Sequence, residues 1–162
     1  MNDAEIIAQT GWTTDELMKG IETAQHGNDY DLVSLLIGVN NQYRGRDISN
    51  FREELVELID IAIRKADSVP ENVIVLSIPD WGVMPFAEGR DREEISSEID
   101  AFNDVIREEC NYAGIKFFVI TDISRQASND PSLVANDGLH PSGKMYALWV
   151  GRIFSHVYRL LK

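Results

Sequence analysis

Two short, near-continuous apolar runs constrain this chain most: Asp31–Ile37 (DLVSLLI) and Val73–Ile78 (VIVLSI). A strand with one wet face alternates apolar and polar residues. A run that is apolar at nearly every position fits a strand buried on both faces. Such strands lie in sheets sandwiched between helices, so the segments between them should be amphipathic. Asn50–Ala66 meets that demand, with Phe51, Leu55, Leu58, Ile59, Ala62, Ile63 and Ala66 at helical spacing. Glu94–Ala113 does the same with Ile95, Ile99, Phe102, Ile106 and Cys110. Pro141–Leu161 does so with Trp149, Val150, Ile153, Phe154, Val157 and Leu160. Lys116–Thr121 (KFFVIT) reads as a further strand, and Ile6-Ile7-Ala8 within Glu5–Thr10 as a short one. Thr14–Ala24 reads as a helix, with Thr13 as N-cap and Glu16 completing a capping box. Gly38–Ile48, Pro79–Arg92 and Asp122–Leu139 read as connections.

The order is strand, helix, repeated to the end of the chain. That predicts an α/β domain: a parallel sheet with helices on both faces, in three layers. The 162 residues suit one domain, 1–162. A formal net charge of -12 repels phosphate backbones and argues against nucleic acid as a partner. No run approaches the roughly 18 apolar residues that cross a membrane. Met1–Glu5 is polar and acidic, unlike a secretory leader, and the compartment stays open. A single cysteine, Cys110, excludes an internal disulfide and a Cys-rich zinc site. It falls on a helical apolar stripe and reads as a core residue. His26 and His156 have no neighbours at metal-ligand spacing and read as structural or exposed.

In parallel sheets, ligands bind beyond the carboxyl ends of the strands. Three polar clusters stand there: Gln9–Thr14, Gly38–Asn41 and Asp137–Ser142. In the last, Asp137 precedes His140 by three residues. A carboxylate at that distance can fix the imidazole tautomer and leave the other nitrogen free as a general base. Alone, the pair reads better as a surface turn in which Asp137 caps a helix. Gly11 stands before a helix start, where a substrate can approach the backbone N–H, or where the chain simply turns. Asn40 offers an amide N–H2 that could complete an oxyanion hole with such an N–H, or bond its own loop. Trp81, Met84 and Phe86 could line an acyl pocket or cover the end of the sheet. Trp12, Tyr43 and Arg44 stand where they could flank the cleft.

Taken together and in order, the glycine block, the G-x-N-[DN] block and the terminal D-x-x-H block resemble the SGNH, or GDSL-type, serine hydrolases (lipases and esterases). The resemblance implies a flavodoxin-like three-layer fold and ester hydrolysis of a small molecule, with no metal and no cofactor. It implies His140 and Asp137 as catalytic residues and Gly11 and Asn40 as the oxyanion hole. Trp12, Tyr43 and Trp81 would then flank the substrate. Asn41 stands where the family usually has aspartate. The family's first block, G-D-S-[LI] with the nucleophilic serine, finds no match. It should precede Ile6 by one βα unit, roughly 30 residues, yet only five residues precede Ile6. None of Ser34, Ser77, Ser124, Ser128 and Ser142 has the strand-turn-helix setting of a nucleophile. The expectation is a longer protein whose first strand and serine lie upstream. The rival expectation is an inactive binding protein of the same fold.

Overall fold

The computed structural model describes residues 4–162. Three parallel strands, β1 (Val33–Leu35), β2 (Val73–Leu76) and β3 (Lys116–Phe118), lie in the order β1-β2-β3. Val33 pairs in register with Val73, and Val75 with Phe117. All four residues of the central β2 are buried, as its unbroken apolar run requires.

Among the described residues, six α-helices accompany the sheet: α1 (Thr14–Thr23), α2 (Val39–Tyr43), α3 (Ile48–Lys65), α4 (Arg92–Ala113), α5 (Thr121–Arg125) and α6 (Gly143–Leu160). Their starts are fixed by side chains that take up otherwise unpaired backbone N–H groups. Asp47 accepts from Ser49 and Asn50, Asp91 from Glu94, and Ser142 from Met145. The capping box forms, with the Thr13 N–H donating to Glu16 over 2.9 Å. No helix among the described residues is long and apolar enough to cross a membrane.

β3 reveals the layering. Phe117 lies under the Arg107 guanidinium of α4, 5.7 Å away, while Phe118 meets the His156 ring of α6 at 5.4 Å. Successive strand residues point to opposite faces, so α4 and α6 cover opposite sides of the sheet. α3 packs beside α4, with Phe51 and Phe102 ring centroids 4.7 Å apart. Phe51, Leu55, Ile99 and Ile106 are fully buried there, and each large side chain so buried contributes roughly 1.5–3 kcal/mol. The expected α/β class and its parallel sheet are therefore present.

Four local expectations need correction. Residues 4–9 form no strand, and Ile6 is exposed. A strand needs a ladder partner, and β1 pairs only with β2. Gly38–Ile48 is not all loop, because α2 begins directly after Gly38. That glycine has φ +118, and a Cβ on it would meet Phe51 Cε2 at 2.9 Å, so only glycine fits between β1 and the core. The KFFVIT run leaves the ladder after Phe118, and Thr121 opens α5. The apolar face expected of α6 is only half covered. Met145 and Trp149 are buried, whereas Val150 and Phe154 are each 57% exposed.

Candidate active site

The carboxyl ends of β1 and β2 open on a cavity of about 540 Å³. Gly11, Trp12, Asn40, Tyr43, Trp81 and His140 all line it, although they come from four separate parts of the chain. Ile7, Leu36, Ile37, Tyr146 and Trp149 add an apolar wall.

Asp137 stands behind His140. One of its oxygens accepts the backbone N–H groups of Leu139 and His140, each over 2.9 Å, and the other lies 2.6 Å from His140 Nδ1. The two backbone donors and the imidazole together hold this carboxyl down at about pKa 2. The ionised carboxylate can only accept, so Nδ1 carries the proton and Nε2 is left free. The turn is braced as well. Gly138 N–H donates to Ala135, Ala135 N–H to the His140 carbonyl, and Phe86 N–H to the Gly138 carbonyl over 3.0 Å. The last bond ties the Asp-His turn to the loop after β2. Asp137 caps its own turn rather than a helix, since Ser142 caps α6.

Asn40 Nδ2 donates to the Trp12 carbonyl over 3.0 Å and keeps a second proton unspent. This bond joins the Gly11 turn to the start of α2. Arg44 reinforces the join by donating to the Gly11 carbonyl over 2.6 Å, which leaves Gly11 in a left-handed turn of φ +88. Asn41 faces the other way and is fully buried. Its Oδ1 accepts the Thr14 N–H (3.1 Å) and its Nδ2 donates to Thr14 Oγ1 (2.6 Å). The Thr14 hydroxyl proton is already committed to Glu54. A carboxylate at position 41 would have no proton to give that oxygen, which explains asparagine there.

Among the described residues, no serine or cysteine lines the cavity. Ser77 is buried against Thr121, Ser124 donates to the Thr121 carbonyl, and Ser142 donates to the Ser132 carbonyl. Cys110 is fully buried, and burial pushes its thiol up to about 12, so it stays protonated and inert. His26 contacts Lys65 through Nδ1 (2.9 Å), and His156 meets Phe118 edge to face; neither lines the cavity.

The sequence profile of the GDSL-like Lipase/Acylhydrolase family matches residues 2–148. The chain belongs to that family. No curated protein matches it by sequence. Among solved structures, it is similar to an alpha/beta hydrolase enzyme from the metagenome of Lake Arreo, Spain. The TM-score is 0.70 at 17% identity, over 93% of this chain and 70% of that one. An acetyl-xylooligosaccharide esterase from Geobacillus stearothermophilus gives a TM-score of 0.67 at 17% identity, over 91% and 68%. A GDSL-like lipase from Bacteroides thetaiotaomicron gives 0.63 at 15%, over 92% and 72%. At such identities the likeness is one of fold.

This GDSL-like chain also contains partners that the sequence did not disclose. Trp81 is buried, with its indole N–H donating to Gln42 Oε1 over 2.6 Å, and Gln42 Nε2 donates to Glu98 over 2.7 Å. Tyr43, Trp81 and Phe86 form a cluster with ring centroids 5.3–6.2 Å apart. The buried glutamine in a polar stretch was the one available hint. Its partners lie 39 and 56 residues away, beyond the reach of periodicity.

Proposed function

We propose that the chain is the larger part of a carboxylic ester hydrolase with a Ser-His-Asp triad, whose serine is supplied from a segment upstream of residue 1. The observation that carries this reading is one cavity lined by Gly11, Asn40 and His140, with His140 held through Nδ1 by Asp137 at 2.6 Å. A base without a nucleophile beside it needs one brought in. Two further features support a place for it. β1 pairs on one side only, and Trp149, buried against the same cavity, has an indole N–H without an acceptor. A parallel strand laid along β1 would pair that edge and end at the cavity.

The chemistry then runs in two halves. The serine Oγ attacks the acyl carbon while His140 Nε2 takes its proton. Asp137 keeps the imidazole in the right tautomer and stabilises it once charged. The oxyanion receives N–H groups from Gly11 and the unspent Asn40 proton. His140 then protonates the departing alcohol, and water repeats the sequence on the acyl-serine. The preferred substrates are small soluble esters or acetylated carbohydrates, the second in keeping with the acetyl-xylooligosaccharide esterase that shares the fold.

Hydrolysis of para-nitrophenyl acetate by the protein with its upstream coding segment restored tests this. The expected result is turnover that His140→Ala abolishes. Turnover unaffected by that substitution would refute the assignment. The second reading is an inactive binding protein of the same fold, favoured by the absence of any serine from the cavity wall. It predicts no turnover with either chain.

A further inference from the structure

Asn40 and Arg44 stand four residues apart at the two ends of α2, and the Arg44 N–H donates to the Asn40 carbonyl over 3.1 Å. That spacing puts both side chains on one side of the helix. They grip successive carbonyls of the turn before α1. Arg44 Nη2 donates to that of Gly11 over 2.6 Å, and Asn40 Nδ2 to that of Trp12 over 3.0 Å. We infer that Arg44 is a positioning residue of the oxyanion hole, holding the Gly11 N–H in register with the Asn40 amide. The inference rests on the hydrolase reading above, which makes those two groups the oxyanion donors.

The turn has little of its own to fix that aim. Residues 4–9, which lead into it, lie in no helix or strand. The bond it makes within itself, from the Trp12 N–H to the Gln9 carbonyl, is long at 3.3 Å. Gly11 has φ +88, and a glycine passes between backbone settings more easily than any other residue. Among the described residues the Gly11 N–H has no acceptor, which leaves it for a ligand. Its direction therefore depends on what holds the turn from outside.

The outside holds differ in kind. The Trp12 ring lies against Gly20 of α1 so closely that there is no room for a Cβ. That packing keeps the turn attached, but apolar contact is not directional. Arg44 supplies direction, because a guanidinium is a rigid planar fork and a charged donor makes a strong, oriented bond. Its second arm is fixed too. Arg44 Nη1 lies 3.3 Å from Glu16 Oε2, the oxygen that accepts the Thr13 N–H over 2.9 Å. The fork is thus anchored on α2 at its base and on α1 at one tip, and the other tip sets the Gly11 carbonyl. Without Arg44 the turn stays attached through Trp12 and Asn40, yet can rotate about Gly11.

The test is Arg44→Met, with Arg44→Lys as the rescue, since lysine keeps a charged donor for the Gly11 carbonyl. The side chain is 42% exposed, so the core should be undisturbed in both. In the 162-residue chain, NMR relaxation should show the Gly11 N–H order parameter falling from about 0.85 to below about 0.6 in Arg44→Met and recovering in Arg44→Lys. In the protein with its upstream segment restored, Arg44→Met should lower kcat for para-nitrophenyl acetate by about 10- to 100-fold with KM changed less than about twofold, and Arg44→Lys should recover most of the loss. A Gly11 order parameter unchanged in Arg44→Met, an unchanged kcat, a change confined to KM, or a loss that Arg44→Lys does not lessen would overturn the inference. Failure of the hydrolase reading would show separately, as no turnover by the unsubstituted protein, and the order parameters would still decide whether Arg44 holds the turn.

Discussion

The sheet face under α3 and α4 and the face under α6 differ in how completely they are closed. α4 buries Ile95, Ile99, Phe102, Val105, Ile106 and Cys110, and α3 buries Phe51, Leu55, Leu58, Ile59 and Ala62. Even the polar Asn103 is paid for there: it accepts the Ile78 N–H over 2.7 Å and donates to the Ile78 carbonyl. α6 buries only Met145 and Trp149, and leaves Trp149 Nε1 unpartnered. The Asp137 and His140 side chains, at the α6 end, are 52% and 56% exposed. A base that works on esters is normally sheltered from bulk water. The closed face therefore teaches what a finished half of this fold looks like, and the open one is where the proposed upstream strand would pack.

Substitutions can sharpen that contrast. In a protein with the serine restored, His140→Ala should lower kcat by about 10⁴-fold or more, since the triad acts as a unit; steady-state ester hydrolysis reads it. On the closed face, Phe51→Ala should cost about 3–5 kcal/mol in chemical denaturation, from lost burial and the cavity left behind. Asn40→Ala should lower kcat by about 10²–10³-fold with little change in KM, as an oxyanion donor would. Equal losses in kcat and affinity would reduce Asn40 to a loop brace for Trp12. Asn41→Ala should cost about 1–3 kcal/mol by leaving the Thr14 amide buried without a partner. On the open face, Phe154→Ala in the present chain should change stability by less than about 0.5 kcal/mol. A loss as large as that of Phe51→Ala would end the distinction between the two faces.

The Asp-His turn carries a pH signature too. Asp137 is depressed in the folded chain, so its contribution is complete above the ordinary carboxylate value of 3.8. It is lost as the pH falls through about 2. Carboxyl-carbon NMR should place the Asp137 midpoint near the lower value. A midpoint near 3.8 would mean that the turn does not hold His140 in solution.

The same division governs what the sequence discloses. The stripes of α3 and α4 were readable because their neighbours are present: every residue assigned to the α4 face is buried. The α6 stripe follows the same periodicity, yet Val150 and Phe154 face outward, because periodicity names a face and not its cover. Ile6-Ile7-Ala8 has strand composition, but pairing decides whether a strand forms. α2 is five residues long, too short for a periodic signal. Within the site, Asp137 and His140 were legible because they are three residues apart. Asn40 was legible through its position beyond β1, whereas Gly11 was placed after a strand that does not form and reaches the cavity through the Arg44 and Asn40 bonds to its turn. The Gln42–Trp81 contact was not legible, since only the fold brings the two together.

The most direct test of the central claim, that this chain holds the base and the oxyanion donors but no nucleophile, is fluorophosphonate labelling of the folded 162-residue chain read by intact mass. The account predicts no adduct. An adduct that appears on a serine of this chain and vanishes in His140→Ala would contradict it.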